Sequence, residues 1–308
     1  MTRLSSLLGL CALSTLVWAC VAAGGGDAID DGGDGGSGGS GSGGDPTTTT
    51  NSGGGFTGPG GSGSGGSSGE LYDVYGHGPN DLYQLDPESN NLVTLVGPFT
   101  DCTSGILDIA IDKDNNIFGV TAEALWSIDR GNGSCTLIAD GLDLPNSLSF
   151  VPKGTLDANV EALVGYKQAA YVRIDPQTGF DQTISATALT GGMESSGDVV
   201  SIDGGSQGNK TYLTVRGTPQ CDATDCLIEI DPVTGAMVQN FGSVGYDDVF
   251  GLAFWGGSAY GFSRTGDVFE ITFNGSSVSS TAVSLAGLDV EEFWGAGSST
   301  LVPLLPPQ

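Results

Sequence analysis

Apolar and polar residues alternate in short runs along most of the chain, and one run sets the pattern. In LIEID, Leu227, Glu229 and Asp231 alternate with Ile228 and Ile230, the period of two that a strand with two different faces requires. Related runs begin at Leu82 (LYQLD), Leu125 (LWSID), Tyr171 (YVRID) and Val268 (VFEIT), with starts 43, 46, 56 and 41 residues apart. That period predicts one four-stranded sheet per copy, arranged as a radial array. A phrase such as Asp231-Pro232-Val233-Thr234-Gly235 follows several of the runs. Asp accepts a backbone N–H, Pro presets φ, and Gly takes the left-handed conformation that closes a hairpin. Each copy therefore reads strand, turn, strand.

The second copy extends the reading to four strands, over 107–111, 116–121, 125–129 and 134–139, which is one blade of a β-propeller. The third gives SLSFV, ALVGY, YVRID and QTISAT; the fourth DVVSI, TYLTV, LIEID and MVQNF; the fifth GLAFW, AYGFS, VFEIT and VSSTAV. The first copy has only ELYDVYG, DLYQLD and LVTLVG, so its innermost strand is missing. Phe293-Trp294-Gly295-Ala296-Gly297 matches Phe254-Trp255-Gly256-Gly257, which ends the fifth inner strand. The expected fold is thus all-β, a propeller of five four-stranded blades closed by a C-terminal strand that completes the first blade. A sixth, degenerate blade built on 299–304 is the alternative.

Ahead of the repeats, residues 1–19 carry Arg3 and then an apolar run from Leu4 to Val17, the layout of a secretory signal and too short for a spanning helix. Val17-Trp18-Ala19-Cys20 resembles the lipobox of bacterial lipoproteins, with Trp18 bulkier than the residue usual there. The resemblance implies lipidation of Cys20, against ordinary signal cleavage near Ala22 or Ala23. Val21 in place of Asp implies, by the sorting rule of Gram-negative lipoproteins, the outer membrane. Residues 20–69 are Gly and Ser with scattered Asp; such a stretch buries too little apolar surface to offset ordering entropy and reads as a flexible tether. The propeller domain is assigned to 70–308.

Charge narrows the partners. With the five acids and Arg3 of the first 69 residues set aside, 31 Asp+Glu face 8 Lys+Arg, a formal charge of −23. That balance argues against nucleic acid and against docking on an anionic membrane face, leaving a lipid anchor as the only membrane contact. A protein or glycan partner is expected.

The phrases also resemble β-propeller repeats of bacterial envelope proteins, in which L-Y-x-I-D-P-x-T-G follows a strand of the D-[IL]-A-[FI]-D-x-x-G-N-[LI]-[YF]-G type; Asp108–Gly119, DIAIDKDNNIFG, is the nearest instance here. The resemblance implies repeat architecture and no particular activity. Similar propellers include protein-binding rings, quinone-binding dehydrogenases and the calcium-dependent gluconolactonase type.

Secretion makes disulfides expected. Cys221 and Cys226 bracket four residues in the inserted loop of the fourth copy and read as one pair; Cys102 and Cys135 follow by elimination, although the blade order separates them. The single histidine, His77, reads as a turn residue, so neither a His-rich metal site nor a Ser-His-Asp arrangement elsewhere assembles. Asp112–Glu123 superficially resembles a helix-flanked calcium loop, but Ile117 stands where Gly is required and both flanks read as strands. At the mouth where the inner strands begin, Asp108, Glu194, Asp198, Asp248 and Glu292, with Asn146, Asp247 and Glu291 nearby, offer oxygen ligands from several blades. By resemblance to the gluconolactonase type they form a candidate calcium site. The expected function is an envelope lipoprotein acting as a non-enzymatic binding platform, with no cofactor and no catalytic residues. A calcium-dependent hydrolase or lactonase is the alternative, and a purely structural envelope component a third reading.

Overall fold

In the turns of the four strongest repeats, a side chain replaces the partner that the backbone lacks. Asp86, Asp129, Asp175 and Asp231 each accept, through Oδ1, the N–H two residues on, at 2.9, 2.7, 2.8 and 2.9 Å. In the last three, a Gly four residues after the Asp has positive φ and donates its N–H to the Asp carbonyl. These turns join the third and fourth strands of their sheets.

The computed structural model describes Val74–Leu305 apart from Ser104; Cys20, the signal and the 20–69 tether lie outside the described residues. Five four-stranded antiparallel sheets follow one another. Blade 1 holds β1 (Val74–His77), β2 (Asp81–Asp86) and β3 (Leu92–Pro98); blade 2 holds β4 (Asp108–Ile111), β5 (Ile117–Val120), β6 (Leu125–Ile128) and β7 (Cys135–Ala139). Blade 3 is β8 (Ser149–Val151), β9 (Ala162–Lys167), β10 (Ala170–Ile174) and β11 (Asp181–Ser185). Blade 4 is β12 (Glu194–Ile202), β13 (Lys210–Arg216), β14 (Cys226–Ile230) and β15 (Met237–Ser243). Blade 5 is β16 (Val249–Trp255), β17 (Ser258–Ser263), β18 (Val268–Asn274) and β19 (Ser277–Ala282). The last strand, β20 (Gly295–Ser298), pairs antiparallel with β1 as the inner strand of blade 1, with His77 opposite Gly295 and Val74 opposite Ser298. The chain is a five-bladed β-propeller closed by its C-terminal strand.

Two details correct the sequence reading. Phe293-Trp294-Gly295 leads into β20, whereas Phe254-Trp255-Gly256 leaves β16, so the two phrases are not equivalent. The counterpart of Phe293-Trp294-Gly295 is Val249-Phe250-Gly251, and Gly251 abuts Gly295 and Ala296 directly. Residues 299–304, which carried the alternative of a sixth blade, form no strand. They cross beneath the ring, with the Thr300 carbonyl accepting from Asp203 N–H (2.8 Å) and the Pro303 carbonyl from Gly256 N–H (2.9 Å).

The core is divided among the spaces between blades. Leu82, Ile109 and Trp126 pack between blades 1 and 2; Leu125, Leu148 and Leu163 between 2 and 3; Tyr166, Leu213 and Ile228 between 3 and 4; Leu227, Leu252 and Phe269 between 4 and 5; Val74, Phe262 and Phe293 between 5 and 1. Sheets covered on both faces need apolar residues on both, which is why β9 and β13 read as continuous buried runs. Closure by β20 supplies the fifth of these interfaces.

Both disulfides form, Cys221–Cys226 and Cys102–Cys135, each with Cα atoms 5.3 Å apart. The second pair meets because successive strands rotate by roughly 20–25°, so an outermost strand lies steeply inclined to the inner one. The segment leaving β3 thereby reaches the start of β7, where Thr100 bridges Ser134 and its carbonyl accepts from Cys135 N–H (2.8 Å).

Candidate functional site

The inner strands begin around one mouth of the channel, and the hydrogen bonds of two aspartates show which residues are equivalent there. Asp108 accepts the N–H of its own successor, Ile109, at Oδ1 (2.8 Å) and that of Leu148 in blade 3 at Oδ2 (2.6 Å). Asp198 repeats this one blade pair further on, accepting from Val199 (2.6 Å) and from Leu252 in blade 5 (2.5 Å). Ile109, Leu148, Val199 and Leu252 are thus matched positions, and their predecessors Asp108, Ser147, Asp198 and Gly251, completed by Gly295 in blade 1, form a ring. Two carboxyl groups, with one N–H at each of their four oxygens, latch blade 2 to 3 and blade 4 to 5.

Asp108 and Asp198 are both fully buried and within hydrogen-bonding reach of each other. Burial raises both carboxyls well above the ordinary range, and for Asp108 the neighbouring Asp198 raises it further. Two adjacent carboxyl groups out of water share a proton rather than carry two charges. Gly295 lies against Asp108 and His77: a Cβ there would fall on both Asp108 Oδ1 and His77 Nε2.

His77 is not the turn residue expected. It ends β1, is completely buried, and packs edge-on against Phe99 with ring centroids 5.7 Å apart. Its Nδ1–H donates to the Gly78 carbonyl (2.8 Å), while Nε2 has no hydrogen-bond partner among the described residues. Burial lowers its pKa to about 4, so the ring is neutral near pH 7.

The other sequence candidates lie apart from this pair. Glu194 is partly exposed and faces Arg216 Nε at 3.4 Å. Asp248 has positive φ, and its carbonyl accepts from Arg264 N–H (3.0 Å). Glu292 is partly exposed, with its carbonyl beside Gly78. Among the described residues, no group of three or more His, Cys, Asp or Glu is arranged to hold a metal ion. The Asp112 stretch is a hairpin turn in which Asp112 Oδ1 accepts from Asp114 (2.9 Å) and Asn116 (2.8 Å), and Asn115 is left-handed.

Directly above the ring is a pocket of about 270 Å³ lined by Leu107, Asn146, Gly197, Phe250, Trp294 and Arg264. The first five are the residues that immediately precede the five ring positions, so each blade contributes one. Arg264 comes from the turn between β17 and β18. Leu107, Phe250 and Trp294 are half-buried, while Asn146 and Arg264 are exposed. The sequence reading named Asn146 here and missed the other five. Farther out, Asp225 is also buried and its Oδ2 accepts from Val249 N–H (2.7 Å), tying blade 4 to blade 5; burial raises its pKa to about 6.

Fold and site together define a five-bladed propeller with a preformed, largely apolar pocket over a sealed polar ring. No protein-family model matches the chain, and no curated protein does. Solved structures are similar at the level of architecture. One is a symmetrical protein of de novo evolutionary emergence, 14% identical, with a TM-score of 0.46 over 77% of this chain and 100% of that one. Another is a protein of unknown function from Bacteroides caccae, 10% identical, with a TM-score of 0.40 over 74% and 99%. BamB from Moraxella catarrhalis is 16% identical, with a TM-score of 0.31 over 67% of this chain and 59% of that one. The chain therefore spans less than two thirds of BamB.

Proposed function

We propose that the protein is a cell-envelope lipoprotein, anchored in the outer membrane through Cys20, whose propeller is a non-enzymatic binding platform for a protein or glycan partner docking at the channel mouth. The observation that carries this reading is the pocket built from one residue of every blade. A concavity with apolar walls and a few polar groups is the usual form of a recognition site. The two disulfides fit an oxidising compartment, and the acidic domain favours a partner other than nucleic acid. A calcium-dependent hydrolase would need open oxygen ligands at the mouth; each oxygen of Asp108 and Asp198 already accepts a backbone N–H, which favours the platform.

The test is in-cell crosslinking of the full-length protein, comparing wild type, Phe250→Ala with Trp294→Ala, and Glu194→Ala as a rim control. Partners lost only from the mouth variant support the reading. An identical partner profile for all three, or chelator-sensitive turnover of lactones or esters, refutes it. Cys20→Ala is expected to move the protein from the membrane to the soluble fraction; retention in the membrane would remove the lipid anchor.

A further inference from the structure

The charge of the mouth pocket runs against that of the domain, and this bears on what the platform reading, on which the following rests, would recognise. Among the described residues, Lys113, Lys167, Arg173, Lys210 and Arg216 each lie within 3.4 Å of a carboxylate. Arg264 makes no such pair, although the domain carries 31 acidic residues. Among the described residues Arg130 and Lys153 are also without a carboxylate partner, but of the three only Arg264 lines the mouth. Its backbone is held, since its N–H donates to the Asp248 carbonyl at 3.0 Å, while its side chain is exposed.

The other residues that line the pocket are uncharged. Leu107, Phe250 and Trp294 are apolar, Gly197 has no side chain, and the Asn146 amide is the one other polar side chain. Below the pocket, Asp108 and Asp198 each direct both oxygens to backbone N–H groups. Phe250 and Trp294, on the adjacent blades 5 and 1, line the same pocket as Arg264 and supply its two aromatic rings. The volume of about 270 Å³ is below the roughly 300–1,000 Å³ of drug-sized sites, and suits one ring.

We propose that the mouth takes a carboxylate carried on a single six-membered ring, as in the acidic sugar of a glycan. Arg264 pairs with the carboxylate, Phe250 and Trp294 pack on the apolar face of the ring, and Asn146 bonds a hydroxyl. Arginine suits this role because its planar donors match a carboxylate bidentately.

The test is ligand-observed NMR on the detergent-solubilised full-length protein, with glucuronate, glucose and benzoate as separate probes. Glucuronate should bind and glucose should not at the same concentration. Arg264→Gln should weaken glucuronate by about 10-fold or more, as expected for losing a hydrogen bond between charged groups. Trp294→Ala should weaken it too, and added salt should act on the acid alone. Benzoate binding with the same Arg264 dependence supports the carboxylate site and makes an aromatic acid its source; benzoate silent beside bound glucuronate makes the source a sugar. Equal binding of glucose and glucuronate overturns the inference while leaving a glycan platform. Glucuronate binding that survives Arg264→Gln overturns it as well. Silence from all three probes also overturns it, and the crosslinking comparison then decides separately whether the platform reading stands.

Discussion

Replacing Asp198 with Ala separates two accounts of the buried carboxyl pair by sign. If the pair were only a charge liability, removing one acid from a domain of formal charge −23 would stabilise it. The geometry requires the opposite. Asp198 accepts from Val199 N–H and from Leu252 N–H, both at buried positions, and the second bond joins blade 4 to blade 5. An orphaned buried donor costs about 1–3 kcal/mol, so two cost about 2–6 kcal/mol. Relief of the carboxyl's own desolvation takes about 1–2 kcal/mol off that, so the expected net loss is about 1–4 kcal/mol. For a domain of this size each kcal/mol shifts Tm by roughly 2–4 °C. Asp198→Asn keeps one acceptor oxygen and should lose about half as much. Urea unfolding at pH 7 of wild type, Asp198→Asn and Asp198→Ala measures the series. The double variant Asp108→Ala/Asp198→Ala should fall short of additivity, because the two groups touch. Asp198→Ala as stable as wild type, or more so, would refute the latch.

Titration supplies a second set of outcomes. Asp225 has a folded pKa of about 6 against an ordinary 3.8, a case of raised pKa, so the stability it contributes is fully present below about pH 4 and lost as pH rises through 6. Asp225→Asn keeps a carbonyl for Val249 N–H; it should flatten the stability profile between pH 4 and 6 and exceed wild type at pH 7 by at most about 3 kcal/mol, as followed by thermal unfolding across pH. Removing Cys102–Cys135, with a sequence separation of 33, should cost roughly 4 kcal/mol, against roughly 2 for Cys221–Cys226 with a separation of 5 by loop entropy; denaturant midpoints of the Cys→Ser variants measure both. Gly295→Ala drives a methyl into His77 Nε2 and Asp108 Oδ1 and should destabilise by at least about 1–3 kcal/mol, seen as a lowered Tm; an unchanged Tm would place that glycine elsewhere.

The strands and the blade count were legible because their causes are local. A period of two and an Asp side chain that replaces a missing turn partner act within a few residues, and LIEIDPVTG contains both. Closure was legible in outline only. Matching Phe293-Trp294 to Phe254-Trp255 relied on aromatic identity, but aromatics serve at both ends of β16, as Phe250 and as Phe254-Trp255. The signal that holds is a mouth residue followed by Asp, Ser or Gly and then an alternating run: LDIAI, NSLSF, GDVVS, FGLAF, WGAGS. Aligned on that signal, the sequence points to Leu107, Asn146, Gly197, Phe250 and Trp294 at once. Asp108 and Asp198 were read from the sequence as oxygen ligands at the mouth, but whether carboxylates bind an ion or a backbone N–H depends on donors 40 and 54 residues away. His77 was misread because burial at a strand end is decided by its neighbours, Phe99 and the closing strand, which nothing local announces.

Two adjacent layers at the mouth divide the labour. Each latch carboxyl has two oxygens, one for its own blade and one for the next, so two of them serve four blades and an odd blade is left over. That blade is blade 1, whose inner strand comes from the other end of the chain and whose ring position is Gly295, without a side chain. The junction made by strand pairing alone thus falls where no side-chain latch is required. The residues one step upstream are released from holding the ring and face the pocket. They can therefore be chosen for what they bind. Substitutions at Leu107, Phe250, Trp294 or Arg264 should change recognition with little effect on stability, while those at Asp108 and Asp198 should do the reverse.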